Sequence, residues 1–328
     1  MARRELSPAQ LAVAQAVRSA LPSDATRVHQ VRVACSGGAD SLALAVGLAW
    51  LDAREPDPLR RSSGLVVDHG LQGGSAQVAA GVVDGLQALG LPSVAVRVDV
   101  QVGPDGLEAA ARDARYAALA TVLTPTGDGV DTVLVGHTMD DQAETVLLGL
   151  ARGSGTRSLA GMPATWQADG VTFVRPLLGL RRVATRQACA DWGLTPWDDP
   201  MNDDDRFARV RARRLLPSIE QTLGPGVVEA LARTAGLARV DADFLDEQAE
   251  GLLPKGGGGL PVPLVLASPI ALRGRVVRAW LARQAITELS FERTQAVLAL
   301  VDDWHGQVGV DLPGGRRVVR RDGVLWLS

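Results

Sequence analysis

Lysine is almost missing from this sequence: Lys255 is the only one, and arginine carries nearly all of the positive charge. Cysteine is as scarce, with Cys35 and Cys189 far apart in the chain. Two such residues supply neither a disulfide framework nor a zinc ligand set. A basic excess is absent too. The formal net charge is −3, whereas dedicated nucleic-acid binders usually carry a surplus of cations. No apolar stretch approaches the length that crosses a bilayer. After Met1-Ala2-Arg3-Arg4-Glu5, the segment Ser7-Pro8-Ala9-Gln10 and Arg18 interrupt what a secretory signal would need as its apolar core. These absences point to a soluble cytoplasmic protein with no membrane partner.

What is present begins with patterning. A chain of 328 residues suits one large domain plus a smaller one. Residues 8–21 read as an amphipathic helix with Leu11, Val13, Ala14 and Val17 on its apolar side. Short apolar runs follow at Val31–Cys35, Leu65–Asp68, Val94–Val98 and Thr132–Gly136, separated by longer Ala/Leu-rich periodic stretches at 41–51, 76–90, 105–122 and 140–151. Unbroken apolar strands alternating with helices predict an α/β fold, a parallel sheet covered on both faces. In such sheets ligands sit beyond the carboxyl ends of the strands. A further βα unit is predicted at 171–192, a helix at 226–250, and a linker at Leu253-Pro254-Lys255 running into Gly256 to Gly259. Beyond it a small α+β unit is predicted, with helices near 268–286 and 290–303 and strands around 311–315 and out to Trp326.

The chemistry-bearing motifs fall at strand ends. Ser36-Gly37-Gly38-Ala39-Asp40-Ser41 follows the first strand and opens a helix. Adjacent glycines let backbone N–H groups converge on one anion, and the helix N-terminus adds its positive dipole end. A Walker-type loop would need a Lys-Ser/Thr pair, which is absent. Asp40 facing a polyphosphate makes sense as a ligand to Mg²⁺; the bland reading is an ordinary Gly-rich turn with an Asp cap. Val67-Asp68-His69-Gly70-Leu71 closes the second strand, as a nucleotide-pocket element or a simple turn. Gly136-His137-Thr138-Met139-Asp140-Asp141-Gln142-Ala143-Glu144-Thr145 starts at a strand end and enters a helix. Asp141 and Glu144, three residues apart, share a face. They could hold an ammonium group or take its proton; the alternative is N-capping, with Asp140 as cap and acids favoured in the first turn. Capping leaves His137 unexplained, and His137 could stabilise charge on an α-phosphate. Arg112 and Arg115, one turn apart, share a face of the helix expected over 105–122. Five arginines, Arg206, Arg209, Arg211, Arg213 and Arg214, crowd one short stretch. Such a cluster suits RNA phosphates despite the neutral total, although any single one could be a solvated surface residue.

The Ser-Gly-Gly-x-Asp-Ser hexapeptide in this position resembles that of the N-type ATP pyrophosphatases, or PP-loop enzymes, whose fold is adenine nucleotide alpha hydrolase-like. Within that group, residues 30–217 resemble the tRNA(Ile)-lysidine synthetases through the Asp68-His69 turn, Glu108–Tyr116, the His137–Thr145 segment, Arg152-Gly153-Ser154-Gly155, Gly161-Met162-Pro163, Arg175-Pro176-Leu177-Leu178 and Asp199-Pro200-Met201-Asn202. The chain departs from their pattern at Gln72, where they usually carry Arg, at Met201 in place of Ser and at Val210 in place of Asn.

The resemblance implies a catalytic domain over 1–220, a helical linker over 221–255 and a small tRNA-binding domain over 256–328. It implies ATP as co-substrate at Ser36, Gly37, Gly38, Ala39, Asp40, Ser41, Asp68, His69 and His137, with Mg²⁺ on Asp40. It places L-lysine at Arg112, Asp141 and Glu144, and an isoleucine tRNA with a CAU anticodon on the 206–214 arginines. Asp40, Arg112, His137, Asp141 and Glu144 would be catalytic. The implied reaction adenylates the wobble cytidine and then displaces AMP with lysine. Rival readings are a tRNA thiolase of the same fold, another PP-loop adenylating ligase, or a non-catalytic RNA-binding relative. The cysteine count opposes the first, and the intact acids oppose the last. The sequence is compatible with a homodimer.

Overall fold

The computed structural model describes residues 5–22, 26–70, 72–99, 114, 116, 117, 119, 130–153, 155–256, 258–287 and 289–328. It contains two compact units, one formed by residues 1–148 and 162–232 and the other by residues 149–161 and 233–328.

The first unit opens with helix α1, Pro8–Ala20. Ser7 and Gln10 form a reciprocal capping box at its start, and Val13, Ala14 and Val17 face inward. A six-stranded sheet follows: β1 His29–Ala34, β2 Arg60–Asp68, β3 Ser93–Arg97, β4 Val130–Val135, β5 Thr165–Ala168 and β6 Val171–Val174. Its spatial order is β3-β2-β1-β4-β6-β5. All pairings are parallel except that of β5 with β6. The antiparallel edge was not among the strands expected from periodicity. Its signal is the Asp169-Gly170 pair, whose φ values of 50° and 78° make a tight hairpin turn.

Helix α2, Ala39–Arg54, and helix α3, Ser75–Ala88, connect the first strands. The period-2 alternation of the strands sends Val31, Val33 and Leu134 to one face, against α1 and α2, and Val133, Val135 and Phe173 to the other. Leu44, Leu48 and Leu51 of α2 are fully buried, each stabilising by roughly 1.5–3 kcal/mol. The chain leaves β1 and β4 at the centre of the sheet, where the strand order reverses. The loops after these two strands therefore diverge around a crevice, the place where open α/β sheets bind ligands.

Four further helices complete the elements that matter for the site: α4 Met139–Arg152, the short α5 Thr156–Leu159, α6 Arg182–Asp191 and α7 Ala208–Leu223. Helix α8, Val227–Leu252, is the long helix anticipated over 226–250, and the division between the two units falls inside it.

The second unit carries a four-stranded antiparallel sheet in the order β7-β10-β9-β8, from Leu260–Pro261, Val324–Leu327, Arg317–Arg321 and Val310–Asp311. Helices at Ile270–Ala282 and Phe291–Asp302 pack against it through Val276, Val277, Leu281, Val297 and Leu300. The strand anticipated over 311–315 is a strand end followed by a 3-10 turn at Pro313–Gly315. Pro313 has no N–H to give a ladder, and Gly314 and Gly315 adopt positive φ.

Candidate active site

The loop after β1 is shaped from within. The Ser41 hydroxyl accepts from the Ser36 N–H at 3.1 Å and donates to the Gly38 carbonyl at 3.0 Å, so it holds the loop rather than facing out. Ser36 is exposed. Helix α2 begins after Gly38 with no side-chain cap, so its first N–H groups remain available to an anion. Gly37 has φ 84°, and a Cβ there would come within 2.6 Å of Val82 Cγ2. Gly136, at the end of β4, is needed for a different reason. A Cβ on it would lie 2.9 Å from Ser41 Cα and 3.0 Å from Ser41 N. Only a glycine lets the 136–140 loop lie against the backbone of the first turn of α2, and that approach brings the two motifs together.

Asp40 projects from that first turn. Its Oδ1 accepts the hydroxyl of Thr185, and its Oδ2 lies 3.3 Å from Arg182 Nε. Burial is the largest influence on this carboxyl and raises its pKa above the ordinary value. Asp141 and Glu144 sit on the first turns of α4, both buried, with Glu144 wholly inaccessible. Thr138 donates its N–H and its hydroxyl to Asp141 Oδ2, each at 2.7 Å. Asp141 is thus the reciprocal half of the cap, while the expected cap, Asp140, instead accepts the Arg182 N–H at 2.7 Å and Arg181 Nε at 3.3 Å. Burial alone would raise the pKa of Asp141, but the Arg182 guanidinium and the Thr138 donors outweigh it and hold the carboxyl below its usual range.

Arg182 and Arg213 complete the cluster, and the first was not among the residues singled out from sequence. The Arg182 guanidinium reaches three carboxylates at once: Asp141 Oδ1 at 2.6 Å, Glu144 Oε1 at 3.1 Å and Asp40 Oδ2 at 3.3 Å. Burial would lower its pKa, yet these acids raise it instead, so the guanidinium stays charged. Arg213 Nε donates to Glu144 Oε1 at 2.9 Å. Glu144 Oε2 is buried with no hydrogen-bond partner among the described residues. Three carboxylates therefore face two guanidinium groups, a surplus of one negative charge with one oxygen still unpaired. Such a site favours an additional cation.

His137 is oriented by a second buried arginine. Arg175 Nε donates to His137 Nδ1 at 3.1 Å, and its Nη1 donates to the Pro163 carbonyl at 2.6 Å. The guanidinium lies 3.9 Å from the Trp166 ring centroid. Because an Arg nitrogen can only donate, Nδ1 must accept, which leaves the proton of the neutral imidazole on Nε2. His137 then offers a hydrogen-bond donor, as stabilising a phosphoryl oxygen requires.

A model described as a PP-loop domain matches residues 9–219, and one described as the TilS substrate binding domain matches residues 260–326. The chain is 51% identical over 330 residues to the tRNA(Ile)-lysidine synthase of Salinispora tropica, covering 98% of this chain and 96% of that protein. It is 44% identical over 339 residues to the protein of that name from Cutibacterium acnes, covering 100% and 99%. The chain belongs to the tRNA(Ile)-lysidine synthase family. Among solved structures, the U34-tRNA thiolase NcsA of Methanococcus maripaludis with its [4Fe-4S] cluster matches with a TM-score of 0.55 and 19% identity, covering 68% of this chain and 77% of that one. At that identity the likeness concerns the fold alone.

The other candidate residues of this lysidine synthase-family chain fall in varied places. Asp68 is buried and is bonded within its own turn, to Ser75 and to the Gly70 N–H at 2.9 Å, which holds its carboxyl below the ordinary range. Arg97 lies 3.9 Å away. His69 is half-buried beside it. Gln72, at the position where relatives resembled by this chain usually carry Arg, donates to Asp199 Oδ1 at 2.9 Å. The 197–199 segment is in turn joined to the 36–41 loop by the Trp197 N–H on the Gly37 carbonyl at 3.0 Å. Arg112, with Arg115 and most of the helix expected over 105–122, lies outside the described residues. The 206–214 arginines separate. Arg213 turns inward to Glu144, whereas Arg206 pairs with Asp204 at 2.7 Å, Arg214 with Asp205 at 2.6 Å, and Arg211 donates to the Asp205 and Arg206 carbonyls. Arg206, Arg211 and Arg214 are exposed, and Arg209 is half-buried. Val210 is buried, an apolar substitute in the core for the polar residue of the resembled pattern.

Although far from Cys35 in the chain, Cys189 lies close to it in the fold: its Sγ is 3.3 Å from the Ala39 carbonyl, in the same buried cluster as Cys35. Burial first, and then Asp40 and Cys35, push its thiol up to about 11. Among the described residues no helix is long and apolar enough to cross a membrane.

Proposed function

We propose that this chain ligates L-lysine to C2 of the wobble cytidine of an isoleucine tRNA with a CAU anticodon, consuming ATP and releasing AMP and pyrophosphate. The observation that carries the reading is the trio Asp40, Asp141 and Glu144 beside the Gly-rich loop, the last two buried, negative in surplus and with Glu144 Oε2 unpaired.

The loop residues Ser36, Gly37, Gly38, Ala39, Asp40 and Ser41 receive the nucleotide, with Asp68 and His69 at the neighbouring strand end. The cytidine O2 attacks the α-phosphate, the bond to the β-phosphate breaks, and pyrophosphate leaves. His137, donating from Nε2, stabilises the charge that grows on the α-phosphate oxygens. An amine of lysine then attacks C2, and the C2–O bond breaks with release of AMP. Asp141 and Glu144 hold the amino acid as its ammonium and accept the proton that the attacking nitrogen must lose. Arg112 is the further candidate at this step.

Magnesium fits the residues present. Asp40 offers carboxylate oxygen at the loop, and among the described residues no group of three or more His, Cys, Asp or Glu could hold a metal by itself. That is the donor set of an ion bound through one or two carboxylates and the substrate phosphates. When bound, Mg²⁺ would neutralise phosphate charge and help pyrophosphate depart. The exposed arginines of 206–214 contact tRNA phosphates, and the second unit binds the tRNA away from the chemistry, through contacts that weaken with salt. The chain acts in the cytoplasm, as a monomer or a homodimer.

A thiolase reading is opposed by composition. Iron–sulfur clusters take several thiolates, and this chain has two cysteines, both buried with raised thiol pKa values. The deciding experiment supplies ATP, Mg²⁺, labelled lysine and an isoleucine tRNA transcript with a CAU anticodon, and counts label in precipitated RNA. ATP-dependent incorporation that disappears in Asp141→Ala supports the proposal. ATP cleavage to AMP and pyrophosphate without label in the RNA would mean that the second substrate is not lysine.

A further inference from the structure

The carboxylates assigned to the incoming cations already hold a cation of the protein's own. While Arg182 stays in place, Asp141 has little capacity left for another donor: Oδ2 already accepts twice from Thr138, and Oδ1 faces the Arg182 guanidinium. Glu144 Oε1 receives both Arg182 and Arg213, so only Oε2 remains. An ammonium brings three donors and a full positive charge. While the guanidinium is resident, an ammonium would meet a like-charge neighbour and few open acceptors, so the surplus negative charge of the site is poorly available to it.

Arg182 is built to move its head while its base stays fixed. It is the first residue of α6, and Asp140 clamps its backbone N–H. Its guanidinium hangs on a flexible stem and already touches Asp40 within the ATP loop. A polyphosphate bound at that loop would present a denser anion, which a guanidinium engages in a bidentate way.

We propose that Arg182 is an exchangeable counter-ion: it bridges Asp40, Asp141 and Glu144 in the free enzyme and transfers to the polyphosphate of bound ATP, so that lysine binds after the nucleotide. This rests on the assignment of Asp141 and Glu144 to the ammonium. It adds a binding order and a residue that enforces it, and it keeps a free lysine from occupying a site that has no nucleotide to activate.

The test is equilibrium binding of labelled L-lysine to the full chain, with and without magnesium pyrophosphate as the polyphosphate probe. Wild-type protein should bind lysine on the order of tenfold more tightly when pyrophosphate is present, a usual size for coupling between two ligands. Arg182→Gln should bind lysine tightly without pyrophosphate and gain nothing from its addition. Equal lysine affinity of wild type with and without pyrophosphate overturns the proposal without recourse to any variant. So does a folded Arg182→Gln that keeps the pyrophosphate dependence or fails to bind lysine. Failure of the underlying assignment looks different: lysine would bind, but Glu144→Gln would leave its affinity unchanged.

Discussion

Glu144→Gln separates the two half-reactions because of how the two oxygens of this side chain are used. Oε1 accepts from Arg182 at 3.1 Å and from Arg213 at 2.9 Å, while Oε2 has no partner among the described residues. A glutamine can keep an acceptor at Oε1 and hold both arginines. The exchange weakens two charge-assisted hydrogen bonds to neutral-acceptor ones, a stability cost of about 2 kcal/mol. At Oε2 the change is more severe, since an NH₂ donor would face an incoming ammonium. Losing a buried charged acceptor in this way costs about 3–5 kcal/mol, or roughly a hundredfold to a thousandfold or more in affinity. The assay is to measure tRNA-dependent AMP and pyrophosphate formation separately from transfer of labelled lysine to RNA. Lysine transfer should fall by about two to three orders of magnitude in kcat/KM for lysine, with adenylation reduced less than about fivefold. An equal fall in both half-reactions would refute the reasoning, because Glu144 would then be holding the whole site together.

Arg175→Met removes the donor to His137 Nδ1, the Pro163 contact and the stacking on Trp166. It should cost about 3 kcal/mol of stability by chemical denaturation, and ¹⁵N spectra should show the His137 ring losing its single Nε2–H tautomer as adenylation slows. Gly136→Ala pushes a methyl group against the Ser41 backbone. It should destabilise by about 1–3 kcal/mol and weaken ATP binding, while Gly81→Ala, which meets nothing within 4 Å, should do neither. The pKa of Asp40 is raised in the folded protein, chiefly by burial. The stability linked to this group is therefore present below the unfolded value of about 3.8 and lost as pH rises through the raised folded value. Asp40→Asn should accordingly raise the Tm at neutral pH, lose that advantage in acid, and abolish ATP cleavage. A lower Tm at neutral pH would contradict the sign.

The fold was legible wherever side-chain period and punctuation agree. The runs through Val31, Leu65, Val94 and Thr132 became adjacent parallel strands, with Val31, Val33, Leu65, Val66, Val133 and Leu134 buried, while Val94 on the edge strand β3 stays exposed. Element ends were less legible. Helix α7 runs through Pro217 to Leu223, since the one hydrogen bond a proline removes is outweighed by the burial of Val210, Ala212 and Leu216. The edge strand β5 was readable in the Asp169-Gly170 turn but has too short a run to show alternation.

The acidic half of the site was legible because Asp40, Asp141 and Glu144 stand inside motifs at strand ends. Its cationic half was not. Arg181-Arg182 reads in sequence as an ordinary charged helix start, and Arg213 as one of five crowded arginines. Which of those five turns inward is settled by helix phase. In α7 the buried residues Val210, Ala212 and Leu216 define the inner side, and Arg213 stands next to it, half-buried and within reach of Glu144, while Arg211 and Arg214 stay exposed. Arg182 gives no such warning, because its partners come from the first turns of two other helices, α2 and α4. Pairing of this kind is set by tertiary packing and leaves no local period. One cue does remain. Three acids around one crevice, two of them buried, cannot all stay ionised unless cations lie with them, so finding the acids already requires the arginines, and the sequence offers almost no lysine to take their place.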